Sequence, residues 1–326
     1  MNNTGCVIGV DMGGTNVRCG AVSAQGEVIE VLSFKTRDFP SEEGFVERLA
    51  DDIETLVRKH GFGNGSKANI GIGTPNGNYR RASVEFAPNL PFKGVFEIGK
   101  MLRQSLSCRM ITADIALTND ANAAATGEKI YGKAKELDDF IMITLGTGVG
   151  SGIFANGKLL YGSSGFAGEI GHTIIVPQGR LCLCGRRGCL ETYCSARGIV
   201  RTAEELLESE HAPSLLDALK GKTFEATEID KAAEKGDALA IECFKLTARH
   251  LALGLANAAA ITSPKKIFIT GGLSRAGEKF FNPLRAYFND FLYPVFRNGI
   301  GIEPSGLGDG HAAILGAASL TTLPNR

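Results

Sequence analysis

The sequence predicts a duplicated, two-lobed α/β architecture, and three observations predict it. The chain opens on an apolar strand (Cys6 to Val10), a glycine-rich turn (Asp11 to Thr15) and a second strand (Val17 to Val22). The same order returns at Phe140 to Leu145, followed by Gly146-Thr147-Gly148-Val-Gly150-Ser-Gly152 and another strand. Between and after these units, strand-sized apolar runs alternate with runs of helical period, and repetition on that scale marks a duplicated fold. A chain of 326 residues is long enough for each lobe to hold its own core.

Each element follows from local pattern. A strand, tight turn and strand at the start form an antiparallel hairpin, unlike the strand–loop–helix of a dinucleotide fold. Glu27 to Phe34 continues that sheet. Ser41 is placed to cap a helix in which Phe45, Leu49, Ile53, Leu56 and Val57 keep the 3.6 period, and Gly61 is its expected stop. Asn69 to Ile72 is a strand ended by Gly73-Thr-Pro75. A loop region covers Asn76 to Lys93, a helix Phe96 to Leu106, and a pair of strands the stretch from Met110 to Leu117. Asp120 to Tyr131 reads as a helix with Asn119-Asp120-Ala-Asn122 at its start. Further helices are expected over Ala196 to Leu207, Thr227 to Lys235, Ala238 to Ile261 and Ala312 to Leu320, with one strand at Lys266 to Thr270. No segment has the composition of a flexible linker, so the lobes are expected to be hinged.

Composition removes several function classes. Lys and Arg (35) balance Asp and Glu (35), so no global basic surface exists for nucleic acid or an anionic membrane. No apolar run reaches the roughly 20 residues of a membrane span. The N-terminus lacks a basic region and its first apolar run breaks at Asp11, so no secretory signal is expected. Of eight cysteines, Cys6, Cys19, Cys108, Cys194 and Cys243 lie mostly in apolar contexts as expected core fillers. Unpaired thiols in this number point to a reducing compartment, with the cytoplasm as the expected location.

The other three cysteines carry chemistry. Cys182, Cys184 and Cys189 stand at C-x-C-x4-C spacing, ten residues after His172. Three thiolates and an imidazole are the donor set of tetrahedral Zn2+, and four protein ligands leave no open position, so the zinc is expected to be structural. Glu169 lies three residues before His172 and Glu191 two after Cys189, so a metal here would fix both carboxylates. Reduced core thiols fit less well, because Gly185-Arg-Arg-Gly188 between them reads as an exposed turn.

Asp11-Met-Gly13-Gly14-Thr15-Asn16 and Leu145-Gly146-Thr147-Gly148 suit two phosphate loops: glycine lets backbone N–H groups approach phosphate oxygens, and the threonine hydroxyls add uncharged donors. Either alone could be a plain hairpin turn; the pair shifts the reading to a nucleotide. Asp11, at a strand end, can hold Mg2+ directly or through water. No lysine completes a G-x-x-x-x-G-K-[ST] loop. Gly271-Gly272, after another apolar strand, adds a turn where backbone could pass an adenosine. Asp120 can take a proton from an attacking hydroxyl or cap its helix, and both roles fit the residues.

Taken in order, D-x-G-G-T, N-D-A-N, G-T-G-x-G-x-G, G-E-x-G-H and C-x-C-G-x-x-G-C-L-E run from residue 11 to 191. With these motifs the chain resembles the ROK family of repressors, open reading frames and kinases, within the actin-like ATPase superfamily. The resemblance implies a two-lobed, ribonuclease H-like α/β fold with an interlobe cleft, divided as residues 1–121 plus 308–326 in a smaller lobe and 122–307 in a larger, zinc-bearing one. It implies that the loops at Asp11, Gly13, Gly14, Thr15, Asn16 and at Gly146, Thr147, Gly148, together with Gly271 and Gly272, hold ATP. It makes Asp120 the catalytic base, and Asn119, Asp120, Glu169, His172 and Glu191 the sugar contacts. It makes His172, Cys182, Cys184 and Cys189 the zinc ligands, with the second nitrogen of His172 free for a sugar hydroxyl. Where family members often have G-x-P-G and G-G-G, this chain has Gly73-Thr-Pro75-Asn76-Gly77 and Gly271-Gly272-Leu273.

The activity so implied is ATP-dependent phosphorylation of a hexose 6-hydroxyl, with glucose as the leading acceptor and ATP, Mg2+ and structural Zn2+ as cofactors. The partners are a small hexose and ATP, with no nucleic acid and no membrane, and the expected assembly is a homodimer or higher homo-oligomer. Two alternatives remain open. One keeps the chemistry but changes the sugar to N-acetylmannosamine, N-acetylglucosamine, fructose or allose. The other is a sugar-sensing regulator without its DNA-binding domain, which zero net charge and a first strand beginning at Cys6 argue against.

Overall fold

The computed structural model describes residues 6–60, 67–87, 89–209, 212–308 and 311–322. The chain divides into two compact units: Met1–Leu137, Leu159–Ala167 and Gly306–Arg326 form the first, and Asp138–Lys158 with Gly168–Ser305 the second.

The first unit is built on β1 (Val7–Met12), β2 (Asn16–Val22), β3 (Val28–Lys35), α1 (Glu42–His60) and β4 (Lys67–Gly73). It continues through β5 (Gly77–Asn78), β6 (Ser83–Glu85), β7 (Val95–Phe96), α2 (Ile98–Cys108), β8 (Thr112–Thr118) and α3 (Asp120–Ile130). Its main sheet has the order β3-β2-β1-β4-β8. The β1–β2 hairpin is antiparallel, with Asp11 opposite Arg18, and β1, β4 and β8 run parallel.

Period-two alternation decides which face each residue covers. Ile8, Val10 and Met12 of β1 join Phe45, Leu49, Ile53 and Leu56 of α1 in one buried core. The expected Ser41 cap forms, its Oγ accepting from the Gly44 N–H at 3.2 Å; Gly61, the expected stop, lies outside the described residues. The opposite face carries glycines. A Cβ on Gly9 or Gly71 would overlap the carbonyl oxygen of Ile314 or Ala317 in the C-terminal helix. Gly71→Ala is therefore expected to cost at least about 2–3 kcal/mol, since backbone, unlike a side chain, has nowhere to yield. An unchanged melting temperature would show that the helix does not seat on that face.

Second-unit elements follow: β9 (Phe140–Leu145), β10 (Val149–Ala155), β11 (Lys158–Leu159), α4 (Glu191–Cys194), α5 (Ala196–Glu208), α6 (Ala226–Glu234), α7 (Ala238–Thr262), β12 (Lys266–Gly271), α8 (Glu278–Phe291) and β13 (Gly301–Pro304). The closing helix α9 (Ala312–Ser319) returns to the first unit. The second sheet has the order β11-β10-β9-β12-β13, again an antiparallel β9–β10 hairpin beside parallel β9, β12 and β13. That shared order is the expected duplication. Ile141, Ile143, Ile267 and Ile269 bury one sheet face under α5, α7 and α8. Among the described residues, no helix is long and apolar enough to cross a membrane.

Two expectations need correction. Asn76 to Lys93 is not a plain loop: β5 and β6 lie in it and pair with β7. Met110 to Leu117 holds one strand rather than two, because Met110 takes a left-handed φ of 59° that ends the turn before β8. All of α3 lies in the first compact unit, its Gly127 against Gly316 of α9, and the units part at 137/138 and 305/306.

Candidate active site

In the first unit, the Gly13–Thr15 turn joins β1 to β2. The Gly13 N–H donates to the Asn16 carbonyl at 3.0 Å, and the Thr36 Oγ1 donates to the Gly13 carbonyl at 2.7 Å. A Cβ on Gly14 would crowd the Asn89 carbonyl at 2.5 Å, so glycine is required there. Thr15 and Asn16 are exposed. Asp11 stands at the carboxyl end of β1. Burial, then the nearby Asp120 carboxylate, pushes its carboxyl up to about 6, while Arg18 pulls it down. A divalent cation placed there would hold it ionised.

Asn119, not Asp120, caps α3: its side chain accepts from the Asn122 N–H at 2.7 Å. Asp120 is the first helical residue, and its Oδ1 accepts from the Ala121 N–H at 2.8 Å. Its surface is exposed, yet the protein crowded around it pushes the carboxyl up, with the Ala121 N–H acting against the shift. The Asp120 residue is exposed at the start of α3.

In the second unit, the Gly146–Gly148 turn joins β9 to β10, closed by Gly146 N–H to the Gly148 carbonyl at 3.0 Å. Glu191, opening α4, lies directly on this turn: its Oε2 accepts from the Val149 N–H at 3.0 Å. Gly171 sits so close to the Val149 carbonyl that any Cβ would overlap it, which fixes the approach of His172. Glu169, just before the 3-10 turn Ile170–His172, is exposed.

His172, Cys182, Cys184 and Cys189 each offer one ligand atom, all within 4.8 Å of one another. The Cys184 and Cys189 sulfurs are 3.7 Å apart, and Cys182 Sγ is 3.8 Å from His172 Nδ1. A tetrahedron with bonds of about 2.3 Å has edges of about 3.8 Å, so the cluster has the size of a zinc site. It is far too wide for a disulfide, whose sulfurs lie about 2.05 Å apart. Because Nδ1 faces the thiols, Nε2 remains for another partner. Arg186 donates to the His172 carbonyl at 2.9 Å and bonds Cys184, offsetting thiolate charge. Gly188 has a φ of 82° and no room for a Cβ beside the Val176 carbonyl, so the knuckle needs glycine there.

A cavity of about 550 Å³ opens in this unit, within the range of small-molecule sites. Thr147 and Gly272 both line it, joining the Gly/Thr turn to the Gly271-Gly272 turn, with Val200, Phe224, Phe244 and Leu273 as apolar wall. Gly271, at φ 104°, passes so close to the Leu145 carbonyl that only glycine fits. Leu273, which stands where the third glycine is often found, is part of the wall. Sequence reasoning missed Arg197, Phe224, Thr227 and Arg275 in this lining: they come from three separate segments and no local pattern marks them. The other departure is resolved by backbone. Asn76 takes a left-handed φ of 51°, which asparagine tolerates nearly as well as glycine.

The sequence profile of the ROK family matches residues 7–323. A glucokinase of Thermotoga maritima is 35% identical over 318 residues, covering 96% of each chain. A xylose repressor of Caldicellulosiruptor bescii is 30% identical over 98% of this chain and 78% of its own. A crystal structure of a ROK family glucokinase from Streptomyces griseus in complex with glucose and AMPPNP superposes with a TM-score of 0.76. It is 35% identical, covering 97% of this chain and 99% of that one.

Proposed function

The chain belongs to the ROK family, and from that premise we infer that it is an ATP-dependent hexose kinase whose first acceptor is glucose. One observation supports this most directly: the Gly146–Gly148 turn bears a nucleotide-sized cavity through Thr147 and a carboxylate seat for Glu191 through Val149. One loop thus serves a donor and a hydroxyl-rich acceptor. The T. maritima glucokinase and the S. griseus structure with glucose and AMPPNP support the same reading.

In this reading the cavity takes adenosine between Phe224 and Leu273, with Arg197 and Arg275 as cations at its wall. The turns at Gly13–Asn16 and Gly146–Gly148 offer N–H and hydroxyl donors to the phosphates. Mg2+, held by Asp11, would neutralise charge on the transferring group. Phosphoryl transfer leaves the protein little covalent work, so positioning and charge dominate. Asp120 accepts the proton of the 6-hydroxyl as its oxygen bonds to phosphorus and ADP leaves. Glu169, Glu191, Asn119 and the Nε2 of His172 hold the ring hydroxyls. Zn2+ on His172, Cys182, Cys184 and Cys189 would be structural, since no ligand position stays open. Eight free thiols fit a reducing cytoplasm.

A coupled ADP-release assay across a panel of hexoses tests the proposal. Glucose is expected to give the highest kcat/KM. A higher value for N-acetylmannosamine, N-acetylglucosamine, fructose or allose would reassign the acceptor. No sugar-dependent ADP release from metal-replete protein would favour a sugar-sensing role without turnover.

A further inference from the structure

Gly148 belongs to a turn whose pattern reads as phosphate-binding, but its surroundings point elsewhere. A Cβ built on it would overlap Oε2 of Glu191 and stand 3.2 Å from the Glu191 Cδ. The next nearest atom is Glu191 Oε1, at 3.9 Å, so the three nearest all belong to that one carboxylate. The same Oε2 accepts from the next N–H in the chain, that of Val149, at 3.0 Å. By contrast Gly146, two residues earlier, has open space where its Cβ would be, as expected of a position that meets a bound phosphate.

We propose that Gly148 is a positioning residue for the acceptor sugar: its missing side chain, with the Val149 N–H, forms the seat that holds the Glu191 carboxylate. The proposal rests on Glu191 being a sugar contact. One carboxylate oxygen is spent on Val149, so the other alone meets a hydroxyl, and its direction is set by the turn. The charged hydrogen bond to Val149 removes the rotamer freedom that a glutamate would otherwise lose on binding sugar. Acceptor geometry is thereby fixed from inside a donor-loop motif.

The substitution Gly148→Ala isolates this effect. Gly148 has no left-handed φ, so alanine meets no backbone strain, and what it strikes is the far end of a flexible side chain. The fold can yield by moving Glu191, and the melting temperature is expected to stay within about two degrees of wild type, as for a change without a packing defect. The glucose KM is expected to rise about tenfold or more, the range for losing a hydrogen bond to a charged group, while the ATP KM moves less than about threefold. Glu191→Gln serves as the control and should raise the glucose KM by itself. In the double variant the two effects should not add, because both act on one carboxylate.

A Gly148→Ala enzyme with raised ATP KM and unchanged glucose KM would return Gly148 to the phosphate loop and overturn the proposal. So would a rise in glucose KM that multiplies fully with that of Glu191→Gln. If instead Glu191→Gln leaves the glucose KM unchanged, the sugar-contact reading of Glu191 fails at its root, a separate outcome from failure of the seat.

Discussion

Asp120→Asn is expected to lower kcat by about 10²–10⁴-fold, the range for losing a positioned general base, with glucose still bound. Folding should be untouched, for two local reasons. The helix cap is Asn119, which the substitution leaves in place, and an asparagine Oδ1 at 120 can still accept from the Ala121 N–H. Calorimetry should show intact unfolding and sugar binding. A rate within a few-fold of wild type in such a protein would remove Asp120 from the chemistry. The pH profile adds a second readout. Crowding raises the Asp120 carboxyl, and only its ionised form can take a proton, so wild-type activity falls as pH drops through that raised value. The asparagine variant loses this limb. Asp11, pushed up to about 6 partly by the Asp120 charge, should titrate at lower pH in the variant because that charge is gone.

Zinc removal is expected to produce the second large effect. Cys184→Ser takes one of four candidate ligands from a cluster that joins two stretches of chain, at His172 and at 182–189, flanked in sequence by Glu169 and Glu191. Loss of a metal is among the few mechanisms behind the largest single-substitution losses, those above about 4 kcal/mol. Glucose affinity should fall with stability, while the cavity walled by α5, α6, α7 and the turn after β12, the proposed adenosine site, keeps most of its shape. Nucleotide binding measured by a fluorescent ATP analogue should therefore change least. Metal analysis is expected to find one zinc per chain. Fully active protein purified without zinc would overturn the assignment.

What could be read from the sequence was whatever depends on neighbours in the chain. The hairpins at Asp11–Asn16 and Leu145–Val149 declare themselves because glycine and threonine sit between two apolar strands, and α1 because its apolar residues keep one face. The Cys/His cluster is legible for the same reason: three of its four members lie within eight residues. Other features depend on distant parts of the chain. β5 and β6 have two and three residues, too short to show alternation. α8 carries Pro283, a residue that weakens a helical pattern in sequence, although it falls in the second turn, where few backbone bonds are lost. The seat of Glu191 joins residues 42 positions apart, and no spacing rule links them.

The glycine face of the first sheet also bears on the order in which the protein can assemble. β1 and β4 leave the ribosome well before α9, which covers Gly9 and Gly71 and follows β4 by about 240 residues. At about 5–20 residues per second, the nascent sheet waits roughly ten to fifty seconds for its cover. The segments of the second unit, ending at Ser305, are all synthesised in that interval, so the half begun later can finish first. A sheet left waiting for so long is a hazard if its bare side is rich in large apolar groups. Here the centre of that side is bare backbone, which water can solvate and a chaperone has little reason to grip.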